Sequence, residues 1–238
     1  MRRNKLIQNN SQSHTVLDRV VTTPVQIRRA TSFMAGFSVP TAAVDEVVAH
    51  TGLRAAATMP GRTCAMLVFV DYLDGDLGPY NEFGVTYLVR HPTDGRRFGV
   101  LIQHLPVDGD FTLAAGRGIW GFPKTLADFD ADHAARRGAL TARGATIAEL
   151  TVSAPFPMPA RFGRTSIPAY SHLDGVTRRT EWAMSPKSMR VGLGGARLSL
   201  GEHPIADELR GLGLPKRALF GAAIDHLEMT FHDAEPVS

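Results

Sequence analysis

Apolar positions along this chain fall mostly in short runs of strand length, and helical spacing is confined to a few segments. Ala42, Val44, Val47 and Val48 recur at helical intervals between Thr41, which can cap, and Gly52, which can terminate, so a helix is expected there. The pattern then changes. Ala65 to Val70 is a continuous apolar run, and Val85 to Val89 and Phe98 to Ile102 flank His91-Pro92-Thr93-Asp94-Gly95, a sequence suited to a hairpin turn. A second hairpin is predicted where Leu140 and Ala142, then Ile147, Leu150 and Val152, bracket Arg143-Gly144. Pro155, Pro157, Pro159 and Pro168 predict an extended loop, followed by a strand at Ala196 to Leu200, a short helix from Ile205 to Leu212 ended by Gly213, and a last strand from Ile224 to Phe231. Strands outnumber helices and do not alternate with them, which argues for a mainly antiparallel sheet. Residues 1–20 are polar and expected to be flexible, leaving 21–238 as one domain.

Composition supports one compact unit, with 238 residues, 44% of them hydrophobic and 21% charged. A chain of this length buries on the order of 70% of its unfolded surface, so it needs no covalent or metal staples. Cys64 is the single cysteine, which excludes an intramolecular disulfide and points to a reducing compartment. No apolar run reaches membrane length and the first residues do not resemble a signal peptide; the expectation is a cytoplasmic protein without a membrane partner. The formal net charge is only +3 and the arginine pairs are scattered, so nucleic acid is not an expected partner.

Gly116-Arg117-Gly118-Ile119-Trp120-Gly121 matches the glycine pattern of dinucleotide-binding turns. Phe122-Pro123 follows at once, so any helix is expected to start at or after Pro123, and the glycines read better as aids to compact packing. No histidine pair has metal-ligand spacing; neither a metal nor a cofactor is expected. Cys64, at the start of an apolar strand, reads as a buried inert thiol. Only four lysines occur among 26 basic residues, and Lys124 lies among Trp120, Phe122, Pro123, Leu126 and Ala127. Apolar surroundings would favour its neutral amine and so its attack on a carbonyl; the competing reading is an exposed lysine in the first turn of a helix. Glu82 reads either as a solvated turn residue or as a carboxyl projecting into a pocket.

Ala115 to Ala127, with its aromatic-Pro-Lys run at Phe122-Pro123-Lys124, resembles the active-site signature of the acetoacetate decarboxylase family, and Leu77-Gly78-Pro79-Tyr80-Asn81-Glu82 resembles its second signature. A weaker likeness continues through Gly195 to Leu200, Pro204 to Asp207 and Leu214-Pro215. The resemblance implies a strongly curved, cone-like antiparallel sheet closed around a pocket, a few peripheral helices, and a homo-oligomer. It assigns the Schiff-base lysine to Lys124 and the facing glutamate to Glu82. Substrate contacts fall to Phe122, Arg117 and Trp120, and to Arg28 or Arg29 as a group recruiting carboxylate. The implied activity is that of a lyase decarboxylating a small β-keto acid through an iminium and an enamine. Two departures matter: Thr125 stands where the family has a second lysine, leaving burial alone to lower the Lys124 pKa, and Gly118 stands where it has a glutamate. They keep open a Schiff-base aldolase or dehydratase on another oxo-acid, and a non-catalytic homologue that binds small molecules.

Overall fold

The computed structural model describes residues 11–91 and 98–237. In chain order the first strands are β1 (Gln12–Val16), β2 (Arg19–Thr23), β3 (Val25–Pro40), β4 (Arg54–Ala55), β5 (Arg62–Gly75), β6 (Tyr80–Arg90), β7 (Phe98–Val107) and β8 (Lys124–Leu126). The remainder are β9 (Asp128–Asp132), β10 (Arg137–Ala142), β11 (Ala145–Val152), β12 (Phe156–Met158), β13 (Thr165–Leu173), β14 (Val176–Leu193), β15 (Ala196–Leu200) and β16 (Phe220–Pro236). The α-helices are α1 (Thr41–Val48), α2 (Asp110–Trp120) and α3 (Pro204–Gly211).

The main sheet runs β4-β6-β5-β3-β16-β14-β13-β7-β8, and β6 also pairs with β7. Seven strands therefore close on themselves in the order β6-β5-β3-β16-β14-β13-β7, as the expected cone-like curved sheet. Pairing is antiparallel except at β13–β7 and β7–β8, which are parallel. A second sheet, β15-β11-β10-β9, covers one flank from outside.

Period-two alternation along β3, β5 and β6 explains why both faces of these strands are buried. Phe83, Phe69 and Phe33 stand side by side in register and face outward, under Leu140, Ile147, Leu150 and Leu198 of the covering sheet. Phe69 packs tightly enough that a Cβ on Gly138 of β10 would approach its ring to 2.9 Å. The alternate rows, Glu82-Val70-Ser32 and Gly84-Val68-Met34, face inward and line the barrel's interior.

The hairpin around Arg143-Gly144 forms as expected, with φ of 51° and 78° at those residues. Strands β6 and β7 pair, while the turn expected between them, from Pro92 on, lies outside the described residues. Thr41 is the first helical residue of α1 rather than its cap; Pro40, in extended conformation, holds the cap position without a side-chain hydrogen bond. Three expectations change. Part of the segment expected to be flexible folds as the β1–β2 hairpin, whose His14 meets Asp233 of β16 at 2.7 Å. The proline-rich stretch is extended but contributes β12 and the start of β13, which pair with β14 with Pro157 opposite Arg190 and Pro168 opposite Glu181. The helix expected after Pro123 instead precedes it as α2, ended by Gly121 at φ 62°, and Lys124 opens a strand. Gly116-Arg117-Gly118 thus occupies the C-terminal part of a helix, where no phosphate-binding N-terminus exists. Among the described residues, no helix is long and apolar enough to cross a membrane.

Barrel closure depends on Gly99 of β7, where a Cβ would lie 2.3 Å from the Pro168 carbonyl oxygen of β13. Gly99→Ala should therefore destabilise the fold by about 1–3 kcal/mol, the usual cost of overpacking. Urea unfolding checks this; an unchanged midpoint would contradict the β7–β13 closure.

Candidate active site

Helix α2 ends in a turn that aims the chain back at the barrel. The N–H groups of Gly121 and Phe122 reach the carbonyls of Arg117 and Gly116, at 3.1 and 3.0 Å. The chain leaves this turn through Phe122-Pro123, and Lys124 joins β7 beside Leu105. Alternation along β8 then sends Lys124 inward, where it is 3% exposed, and leaves Thr125 exposed on the other side.

The Lys124 amine lies 2.9 Å from Glu82 Oε2, donates to Thr112 Oγ1 at 2.8 Å, and stands 4.7 Å from the centre of the Tyr80 ring. Tyr72 donates its phenol to the other Glu82 oxygen at 2.8 Å and stacks on Tyr80, with ring centres 4.2 Å apart. Glu82 is thus a buried carboxyl in a pocket, 7% exposed, rather than a solvated turn residue. Burial disfavours the ammonium and pushes the Lys124 pKa below its ordinary value, and the Glu82 carboxylate opposes that shift without cancelling it. Burial likewise holds the Tyr72 and Tyr80 phenols well above theirs, so both stay protonated and Tyr72 keeps its donor to Glu82.

This cluster sits in the wall of a chamber of about 80 Å³ inside the barrel. Trp120, Phe122, Trp182 and Phe231 line it on one side, and Met34, Met184 and Met229 contribute flexible apolar surface. Among the described residues lining it, Lys124 is the only cation and Glu82 the only anion.

Of the residues expected at the site, Lys124, Glu82, Phe122 and Trp120 meet in this chamber. Arg117 is exposed and does not line it; its guanidinium donates to the Lys124 carbonyl at 3.3 Å and so braces the backbone of the lysine. Arg28 and Arg29 do not enter it either. A bulge in β3 between Ile27 and Ala30 breaks the alternation and leaves both arginines exposed, and Asp74 and Asp76 hold Arg28 outward at 2.7 and 2.6 Å. Gly118 is exposed on the far side of α2 with open space around it, so the missing glutamate is not a chamber residue. Cys64 is buried outside the chamber, and burial pushes its thiol pKa up.

Tyr80, Tyr72 and Thr112 were not singled out from the sequence. Tyr80 lies two residues before Glu82 and shares its face on alternation alone; Thr112 and Gly116 lie four apart on one face of α2. Tyr72 faces Tyr80 only through strand register, which the linear chain does not show.

The site is a buried lysine–glutamate pair in the apolar interior of a closed β-barrel. The profile of the family described as acetoacetate decarboxylase (ADC) matches residues 11–236, and the chain belongs to that family. Solved structures agree at the level of fold. An acetoacetate decarboxylase from Legionella pneumophila superposes with a TM-score of 0.72 at 19% identity, covering 90% of this chain and 87% of its own. The enduracididine biosynthesis enzyme MppR, solved with pyruvate, gives 0.67 at 16% identity, with 90% of each chain covered. An acetoacetate decarboxylase-like enzyme from Sphingomonas wittichii gives 0.60 at 16%, covering 92% of this chain and 94% of its own. No curated protein sequence matches the chain.

Gly116 makes room for the lysine: a Cβ there would lie 2.5 Å from Lys124 Cδ. Gly116→Ala should lift the amine away from Glu82 and Thr112 and lower turnover by about 10²-fold, the usual scale for an ångström of misplacement. Thermal unfolding should change little, so steady-state kinetics beside a melting curve checks it.

Proposed function

We propose that the chain is a Schiff-base decarboxylase of a small β-keto acid. The observation that carries this reading is the charge inventory of the chamber, in which Lys124 is the only cation among the described lining residues and its charge is matched by Glu82. An enzyme that keeps its substrate's carboxylate through the reaction needs a cation to offset the desolvation of that group. Here the carboxylate would enter an apolar enclosure without one, and the favourable course is to lose the charge as carbon dioxide. The aldolase or dehydratase reading retains the carboxylate and is less well served. The non-catalytic reading drew on Thr125 and Gly118, and both lie outside the chamber.

Chemistry follows from the contacts. A neutral amine has two N–H bonds, and Glu82 Oε2 and Thr112 Oγ1 are placed to accept both, which leaves the lone pair for the ketone carbon. The proton that the ammonium releases in becoming neutral passes to Glu82 at 2.9 Å; attack gives a carbinolamine, and Glu82 returns that proton as the hydroxyl departs as water. The resulting iminium withdraws the electron pair of the bond between the α-carbon and the carboxylate; carbon dioxide leaves and an enamine remains. Protonation at carbon and addition of water release the ketone and restore the amine. The Tyr72 phenol holds Glu82 in place throughout.

Borohydride added with acetoacetate should reduce the iminium and fix the adduct at Lys124, as read by peptide mass mapping. Lys124→Arg, which keeps a cation but offers no amine nucleophile, should abolish both adduct and turnover. Labelling at Lys187 or Lys216 with Lys124 untouched would defeat the assignment.

The acidic limb of the rate profile gives a second test. Activity requires the neutral amine, so the limb should lie below the ordinary lysine range because burial lowers the Lys124 pKa. The Glu82 charge raises that pKa. Removing it in Glu82→Gln should move the limb to still lower pH while the maximal rate falls about 10²–10⁴-fold with loss of the proton carrier. A limb that moves up would mean the carboxylate acts otherwise.

A further inference from the structure

Glu82, Tyr72 and Tyr80 in the chamber wall serve the amine, but Ser32 does not. It is 4% exposed, it lines the chamber, and its hydroxyl has no hydrogen-bond partner among the described residues. A buried hydroxyl without a partner costs free energy in a wall where alanine would fit. Its direction follows from β3: Thr31 points outward to His133 Nδ1 at 3.0 Å and Phe33 outward to Phe69, which leaves Ser32 facing in. Its position follows from register, because Glu82 pairs with Val70 and Val70 with Ser32. Ser32 therefore stands in the same cross-strand row as Glu82, two strand spacings away, about 10 Å between backbones. A short ligand joined to Lys124 beside Glu82 would extend across Val70 toward it. Trp182 Nε1 is also unpartnered, but Trp182 pairs with Phe231, and Phe231 with Val25, seven residues from Ser32 along β3, so it belongs to the other end of the chamber.

We propose that Ser32 binds the carboxylate of the β-keto acid, donating its hydroxyl proton to one carboxylate oxygen while the ketone reacts at Lys124. This rests on the decarboxylase reading and specifies the contact that Arg28 and Arg29 do not supply within the chamber. A neutral donor suits the reaction better than a guanidinium. It orients the group so that the bond to be broken can align with the iminium, yet it does not hold the negative charge that must flow into that bond. The hydrogen bond fixes the carboxylate in the ground state and weakens as carbon dioxide departs, so its loss should appear mainly in KM.

The test compares wild type, Ser32→Ala and Ser32→Thr on two probes, acetoacetate in steady-state decarboxylation and acetone, which has no carboxylate, in borohydride trapping. Ser32→Ala should raise KM for acetoacetate about tenfold, the scale of a hydrogen bond to a charged group, with kcat changed less. Trapping with acetone should proceed at the wild-type rate, and Ser32→Thr, which keeps the hydroxyl, should recover most of the KM. An unchanged KM in Ser32→Ala overturns the proposal, as does an equal loss with acetone and acetoacetate, which would mark a purely structural role. In both cases wild-type decarboxylation would leave the decarboxylase reading intact. Wild-type protein that neither decarboxylates acetoacetate nor traps acetone overturns that reading, and the role of Ser32 with it.

Discussion

One amine buried beside one carboxylate in an apolar chamber is the condition on which the rest of the arrangement depends. Lys124 carries a charge that its surroundings solvate poorly, and Glu82 at 2.9 Å is the only opposite charge lining the same space among the described residues. Two tendencies compete, since burial favours the neutral amine and the carboxylate favours the ammonium, and burial prevails. The group is thereby neutral at a lower pH than an exposed lysine, yet it keeps a proton acceptor within reach. Thr112, Tyr72 and Tyr80 complete the balance with neutral contacts that fix geometry without adding charge.

Holding that pair requires a wall solvent cannot enter, and the barrel provides it by burying both faces of β3, β5 and β6. The outward phenylalanine row is sealed by the β9–β11 and β15 sheet, so the strands cannot splay without exposing a second core. Helix α2 acts at the other side. Its Gly116 lets the lysine stem lie against the helix, its Thr112 meets the amine, and its Gly121 turn places the next residues in β8. A helix that ends at the chamber and a short parallel strand that begins there thus convert a local sequence run into the position of a single nitrogen.

The departures from the family signatures have a simple spatial meaning. Thr125 and Gly118 differ from the family pattern at exposed positions, Thr125 next to the buried lysine in β8 and Gly118 on the outer side of α2. Neither alters the electrostatics of the chamber directly. The arginines near the start of β3 were linked to the site by resemblance, and a bulge that breaks the strand's alternation leaves both at the surface instead. In the proposed decarboxylase, carboxylate binding therefore falls to neutral groups in the wall.

The linear chain determined what depends on neighbours in sequence. Apolar runs located β5, β6, β7 and β16, Arg143-Gly144 located a hairpin, and the aromatic-Pro-Lys run singled out Lys124 among the four lysines. Alternation from Tyr80 to Glu82 was also available there, since a strand puts residues two apart on one face. The tertiary structure decided what depends on register and closure: that Tyr72 meets Glu82, that Ser32 shares a row with it, that Thr112 reaches the amine, and that β3 bulges at its arginines. Those pairings join residues from 10 to 50 positions apart, and only the hydrogen-bond ladder between strands and the packing of α2 against the barrel bring them into one chamber wall.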